Sequence, residues 1–125
     1  MTPPTMTAQD SEKLARAWLE AFNKKDVEAL LALYDDNCTH TSPKIRVLHP
    51  ETAGLLVGKA ALRGWWVGAM ERLPTLRYEE RALTCSPERA VLEYVRHAAG
   101  EAPLPVAEVF DLKAGKIVAS RVFHG

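Results

Sequence analysis

Residues 89–123 read RAVLEYVRHAAGEAPLPVAEVFDLKAGKIVASRVF, and the fold follows from this stretch. Arg89 to His97, Leu104 to Leu112 and Ile117 to Phe123 are runs of strand-like composition, parted by Ala98 to Pro103 and by Lys113-Ala114-Gly115-Lys116. Connections this short join antiparallel neighbours, so the stretch predicts a β meander. Thr75 to Thr84, ending at Ser86-Pro87, adds a strand ahead of it. In the meander, Leu92, Tyr94 and Arg96 alternate with Val91, Glu93, Val95 and His97. On the next strand Val106, Glu108, Phe110 and Leu112 alternate with Ala107, Val109 and Asp111. Apolar residues stand on both faces, which predicts that both are covered: one by helices, the other by a second subunit. A homodimer through the sheet face is therefore expected.

Upstream the pattern is helical. Leu14, Trp18 and Phe22 recur every fourth residue within Thr7 to Phe22, while Glu12, Arg16 and Glu20 face elsewhere. Asn23-Lys24-Lys25 interrupts this helix, and Asp26 is placed to cap a shorter one whose buried side is Val27, Leu30, Leu31 and Tyr34. A short strand follows before Pro43, with Cys38, His40 and Ser42 on one face. Residues 43–57 hold two prolines and a glycine without a period, so they predict a long loop, a lid over whatever lies beneath. Gly58 opens a third helix carrying Leu62, Trp65, Trp66, Ala69, Met70 and Leu73, and Pro74 stops it. Helices first and a meander after predict one α+β domain over residues 1–125, with residues 1–6 a flexible leader. Its three N-terminal helices pack on a curved, mainly antiparallel sheet.

Composition narrows the function. The 125 residues carry 16 basic and 16 acidic side chains, without the positive surplus that nucleic acid or an anionic membrane surface attracts. No apolar run reaches membrane-spanning length, and Met-Thr-Pro-Pro-Thr is not a signal peptide, so a cytoplasmic protein is expected. Cys38 and Cys85 form neither a disulfide framework nor a zinc spacing, and phosphate loop, nucleophile elbow and HExxH are missing. No metal or organic cofactor is implied. Any chemistry must come from scattered residues that the fold gathers.

Glu108 stands between Val106 and Phe110 on the apolar face. A carboxylate buried there without a partner costs several kcal/mol or holds its proton. It is either half of an ion pair with Arg96 on the neighbouring strand or a functional acid. His40 poses the same question on the first strand, where it is either a hydrogen-bonded structural residue or a general base. If Cys38, His40 and Ser42 face the helices, they share an interior with Glu108, Tyr94, Trp18 and one of Trp65 or Trp66. His97 and Arg121 read as surface or interface residues. His49 sits in the loop, and His124, next to the end, either folds back or frays.

These segments resemble the nuclear transport factor 2-like superfamily over nearly the whole chain. The resemblance rests on Phe22-Asn23-Lys24-Lys25-Asp26 closing the helical hairpin and on Leu33-Tyr34-Asp35-Asp36-Asn37 leading into a strand that ends at Pro43. It extends to Gly58-Lys59-Ala60-Ala61-Leu62 opening a helix and to the hairpin Phe110-Asp111-Leu112-Lys113-Ala114-Gly115-Lys116-Ile117. The SnoaL-like branch, with its polyketide cyclases, is the most similar, and ketosteroid isomerase shares the superfamily. The resemblance implies a cone-shaped domain with an internal pocket, commonly dimeric. It does not fix a reaction, because the superfamily includes isomerases, cyclases, dehydratases, transport adaptors and association domains.

The isomerase pattern transfers to this chain only in part. The base position before the strand-ending proline is Ser42, which takes no proton near neutral pH. The oxyanion tyrosine position is Trp18, and the protonated aspartate position, a carboxylic acid held neutral by an apolar site in that enzyme, is Glu108. The expectation is an isomerase- or cyclase-like acid–base enzyme acting on a small apolar carbonyl compound. His40 moves a proton, and Glu108, oriented by Arg96 or Tyr94, donates to developing oxyanion charge. Trp18, Ser42, Trp65, Trp66, Tyr94, Arg96 and Phe110 bind the substrate. The alternatives are a ligand-binding module without turnover and a dimeric association domain.

Overall fold

The computed structural model describes residues 6–125. Helix α1 (Ala8–Asn23) starts at a reciprocal cap: the Thr7 hydroxyl accepts from the Asp10 N–H and the Asp10 carboxylate from the Thr7 N–H. Its buried side includes Leu14, Trp18 and Phe22, as their spacing predicts. Asp26 caps α2 (Val27–Ala32) by accepting from the Ala29 N–H. Tyr34 is not part of that helix; it begins β1 (Tyr34–Thr41).

Residues 43–57 are not a bare loop. Ser42 caps a short helix, α3 (Pro43–Leu48), with Pro43 in the first turn, where its missing N–H costs nothing. A 3-10 turn (Pro50–Thr52) leads into β2 (Leu55–Val57), which pairs antiparallel with β1. The segment has an ordered path because Ser42 and Gly54 close it: the Ser42 N–H donates to the Gly54 carbonyl, and Gly54 sits at φ 85, a conformation that favours glycine. Gly58, at φ 87, precedes α4 (Lys59–Arg72), which buries Leu62, Trp66 and Met70 and leaves Trp65 half-buried.

The meander is β3 (Arg77–Ser86), β4 (Arg89–His97), β5 (Leu104–Lys113) and β6 (Lys116–His124). The six strands form one open sheet in the order β2-β1-β6-β5-β4-β3. Among the described residues only β1 and β6 run parallel; the other pairs are antiparallel. Register shifts at Glu80/Ala82, Tyr34/Thr39 and Asp111/Leu112 interrupt the ladders and increase local bend and twist. The helices expected from the sequence cover one sheet face, so the architecture is α+β.

Asn23, at the end of α1, fixes that helix to β3 by exchanging two hydrogen bonds of 2.8 Å with the Tyr78 backbone. Phe22 then stacks on Tyr78 at 3.9 Å, and Tyr78 on Tyr94 at 4.1 Å, forming an aromatic wall beside Trp18. The leader expected over 1–6 lies outside the described residues except for Met6, which packs against the core and accepts from the Gly115 N–H. Among the described residues, no helix is long and apolar enough to cross a membrane.

Candidate functional site

The inner sheet face, α1 and α4 enclose a cavity of about 540 Å³, with α3 beside its mouth. Of the residues expected there, His40, Glu108, Trp18, Ser42, Trp65, Trp66, Tyr94 and Arg96 line it. Phe110 does not. It faces the same way as Glu108, but Trp18 covers it edge-on at 5.1 Å, and it packs behind the wall fully buried.

Glu108 is 2% exposed. The Tyr94 hydroxyl donates to its Oε1 at 2.8 Å, while Oε2 has no hydrogen-bond partner among the described residues. Burial pushes the carboxyl up from 4.5 to about 8, and the Tyr94 bond only partly opposes this. At neutral pH the group is mostly the neutral acid. Because Oε1 is engaged as an acceptor, the acidic proton belongs on Oε2, where the protein offers it no acceptor. Of the two readings of Glu108, the ion pair with Arg96 is not made. In the β4–β5 register Leu92 stands opposite Glu108, four residues from Arg96, and the Arg96 guanidinium instead donates to Glu101 at 2.7 Å. Of the two orienting partners expected for Glu108, Tyr94 makes the contact.

His40 ends a chain of buried hydrogen bonds. The Trp18 indole N–H donates to the Tyr34 hydroxyl at 3.1 Å; Tyr34 lies 3.0 Å from the Ser120 hydroxyl, and Ser120 lies 2.6 Å from His40 Nδ1. An indole N–H can only donate, so the chain has a fixed start. The Tyr34 proton then has one described acceptor, Ser120, and the Ser120 proton has one left, His40 Nδ1. The opposite direction would strand a buried hydroxyl proton. This one-way assignment makes Nδ1 an acceptor and places the proton of the neutral ring on Nε2, the nitrogen the chain leaves free. Burial pulls the imidazole down from 6.5 to about 4, so the ring is neutral near pH 7. A neutral imidazole protonated at Nε2 presents a donor, not the base expected from the sequence.

The two groups do not face each other from opposite walls. His40 pairs across to Ser120 and Ser120 to Phe110, whereas Glu108 pairs to Val122. Both therefore project from the same sheet face, two strands and two residues apart. Two strand spacings alone set their backbones about 10 Å apart.

Tyr34, Ser120 and Tyr78 escape sequence reasoning. Ser120 carries a signal, as a small polar residue at an inward position beside the apolar Ile117 and Val122. The indole N–H of Trp18 is spent on Tyr34 and cannot serve a ligand. Ser42 lines the cavity while its hydroxyl caps α3. His49 lies outside this cavity beside Trp65, and His97 pairs with Glu79 at 2.9 Å, whereas His124 neither folds back nor frays but ends β6 opposite Val106 and lines the cavity. Among the described residues, no three His, Cys, Asp or Glu side chains group as metal ligands.

The family model of the SnoaL-like domain matches residues 15–120. No curated protein matches the sequence. Among solved structures, a SnoaL-like protein of unknown function from Burkholderia thailandensis is similar at 25% identity and a TM-score of 0.86, over 98% of this chain and 99% of that one. A proposed ketosteroid isomerase from Kribbella flavida is 15% identical with a TM-score of 0.79, over 98% and 82%. TerC, co-crystallised with polyporic acid, is 17% identical with a TM-score of 0.79, over 93% and 92%.

Proposed function

The chain belongs to the SnoaL-like domain family, and from that premise we propose that it is an acid–base enzyme of isomerase or cyclase type. Its substrate is a small, largely apolar carbonyl compound held in the cavity. The observation that carries this reading is Glu108 Oε2, a buried carboxyl oxygen at a hollow of about 540 Å³ with no hydrogen-bond partner among the described residues. A group whose proton affinity lies near neutral pH is suited to transferring protons.

The roles reverse those expected from the sequence. The carbonyl oxygen of the ligand accepts from His40 Nε2–H, a neutral imidazole acting as electrophile, as in the handful of enzymes that keep such a ring uncharged. Glu108, in its ionised form, which is the minor one at pH 7, takes a proton from carbon next to or conjugated with that carbonyl and can return it elsewhere. Tyr94 steadies the carboxylate. The stacked rings of Phe22, Tyr78 and Tyr94, with Trp18 and Trp66, hold an apolar body. The small molecule co-crystallised with TerC supports an occupant of this kind.

The test is solvent exchange. The protein should catalyse deuterium uptake at the activated carbons of β-keto or enone compounds in D2O, followed by NMR. Its rate should rise with pH through about 8 as Glu108 ionises. Binding of such compounds without exchange, or exchange unchanged in Glu108→Gln, sinks the enzymatic reading and leaves a binding module. A homodimer through the outer sheet face is a separate part of the proposal, supported by half-buried Val91, Val95 and Val109 and by Phe123, 53% exposed. Sedimentation that shows a monomer at micromolar concentration contradicts it.

A further inference from the structure

The chain has no net charge, yet the ionised side chains lining the cavity are unbalanced: Lys44, Arg72 and Arg96 stand against Glu101. Glu108, held as the neutral acid, does not redress this near pH 7. The surplus has a focus. Arg96 is 5% exposed on β4, a position where an unpaired guanidinium would be costly. Its partner Glu101 comes from the exposed connection between β4 and β5 and takes a single bond, from Nη1, at 2.7 Å. Among the described residues the other guanidinium N–H groups have no hydrogen-bond partner. A guanidinium is built to grip a carboxylate with two parallel bonds, so this pairing uses half of what Arg96 offers. Lys44 lies near enough to lower the Glu101 carboxyl further, and burial first, then Lys44 and Arg96, disfavour the charged form of His124. The Glu101 carboxylate therefore sits in a cationic niche at the mouth, on a side chain free to leave it.

We infer that the ligand carries a carboxylate that displaces Glu101 from Arg96, with Lys44 adding attraction at the mouth. This deepens the proposed function, on which it rests for the carbonyl at the inner end. The substrate class becomes an apolar keto acid, its carbonyl between His40 and Glu108 and its acid group at the mouth. Tyr94, on the strand between Arg96 and the residue opposite Glu108, spaces the two ends.

The experiment compares 4-oxo-4-phenylbutanoate with its methyl ester, by tryptophan fluorescence and calorimetry on the intact chain. The acid should bind at least tenfold more tightly than the ester, with the difference shrinking as salt is raised. Glu101→Gln removes the internal competitor and alters only an exposed side chain. It should tighten the acid severalfold and leave the ester unchanged. Arg96→Lys keeps the charge but loses the fork, and should weaken the acid alone. Equal affinity for acid and ester, no binding of either, or a Glu101→Gln protein indistinguishable from the parent overturns the inference. The affinity ratio is independent of proton exchange. A failed Glu108 mechanism leaves the preference for the acid intact, and a failed carboxylate niche leaves exchange of the ester intact.

Discussion

At the β1–β6 side of the inner sheet face, Trp18, Tyr34, Ser120 and His40 form a buried chain in which each proton has one acceptor. At the β4–β5 side, Glu108 has one oxygen bonded to Tyr94 and the other left bare. Both sites are buried to a similar degree, at 3% exposure for His40 and 2% for Glu108, and burial drives both groups to the uncharged form. What differs is satisfaction. The completed chain fixes which nitrogen of His40 carries the proton, whereas the incomplete carboxyl keeps a proton that only a ligand can accept. Burial sets the charge state, and the count of partners separates a positioned donor from a group that exchanges protons.

The largest effect should come from removing the exchanging group. Glu108→Gln can still accept from Tyr94 but cannot take a proton, so exchange should fall by about 10²- to 10⁴-fold. Near-native circular dichroism would show that the loss is chemical. A comparable loss in a variant at the β1–β6 side, such as His40→Gln, would erase the contrast between proton mover and fixed donor, since a glutamine amide keeps a donor there.

The pH dependence of stability separates the two sides next. Glu108 is raised from 4.5 to about 8, so its contribution is fully present below about pH 4.5 and lost as pH rises through about 8. His40 is lowered from 6.5 to about 4, so its contribution is present above about pH 6.5 and lost as pH falls through about 4. Between pH 4.5 and 6.5 the two slopes offset, and a Tm-against-pH curve should show a plateau there. Glu108→Gln should remove the alkaline decline left between about pH 6.5 and 8, on the order of 2 kcal/mol. His40→Gln should remove the acid decline instead. An alkaline limb that survives Glu108→Gln would place its cause elsewhere.

Ser120→Ala cuts the chain in the middle and leaves the Tyr34 hydroxyl and His40 Nδ1 short of a partner. Each orphaned buried group costs about 1–3 kcal/mol, measurable as a lower urea midpoint. Arg16→Ala supplies the smallest effect. Its pair with Glu80 (2.7 Å) is half-exposed and screened by solvent, so its loss should move the urea midpoint far less than Ser120→Ala does, with exchange unchanged. If it costs as much as Ser120→Ala, burial is not what makes the chain matter.

Strand parity makes part of this legible in the sequence. Period-two alternation places Tyr94, Arg96 and Glu108 on the inner face because a side chain's face depends only on its own strand. Helical spacing does the same for Trp18. Parity does not give register or depth. It pairs Arg96 with Glu108, although Leu92 is the cross-strand neighbour. It cannot show that Phe110 is sealed beneath Trp18. The chain through Tyr34 and Ser120 depends on the parallel β1–β6 pairing, whose partners His40 and Ser120 lie 80 residues apart and leave no local trace. The α3 helix does leave a local signal, since Ser42 before Pro43 is a capping residue ahead of a first-turn proline, although residues 43–57 carry no period.

The central claim is that Glu108 holds a proton at neutral pH. The most direct measurement follows its side-chain carboxyl carbon by NMR across pH 3–10 in protein labelled with 13C-glutamate, assigned by the resonance lost in Glu108→Gln. The account predicts a single titration near pH 8 and the chemical shift of a neutral acid at pH 6. A titration near 4.5, with the carboxylate shift already reached at pH 6, would contradict it.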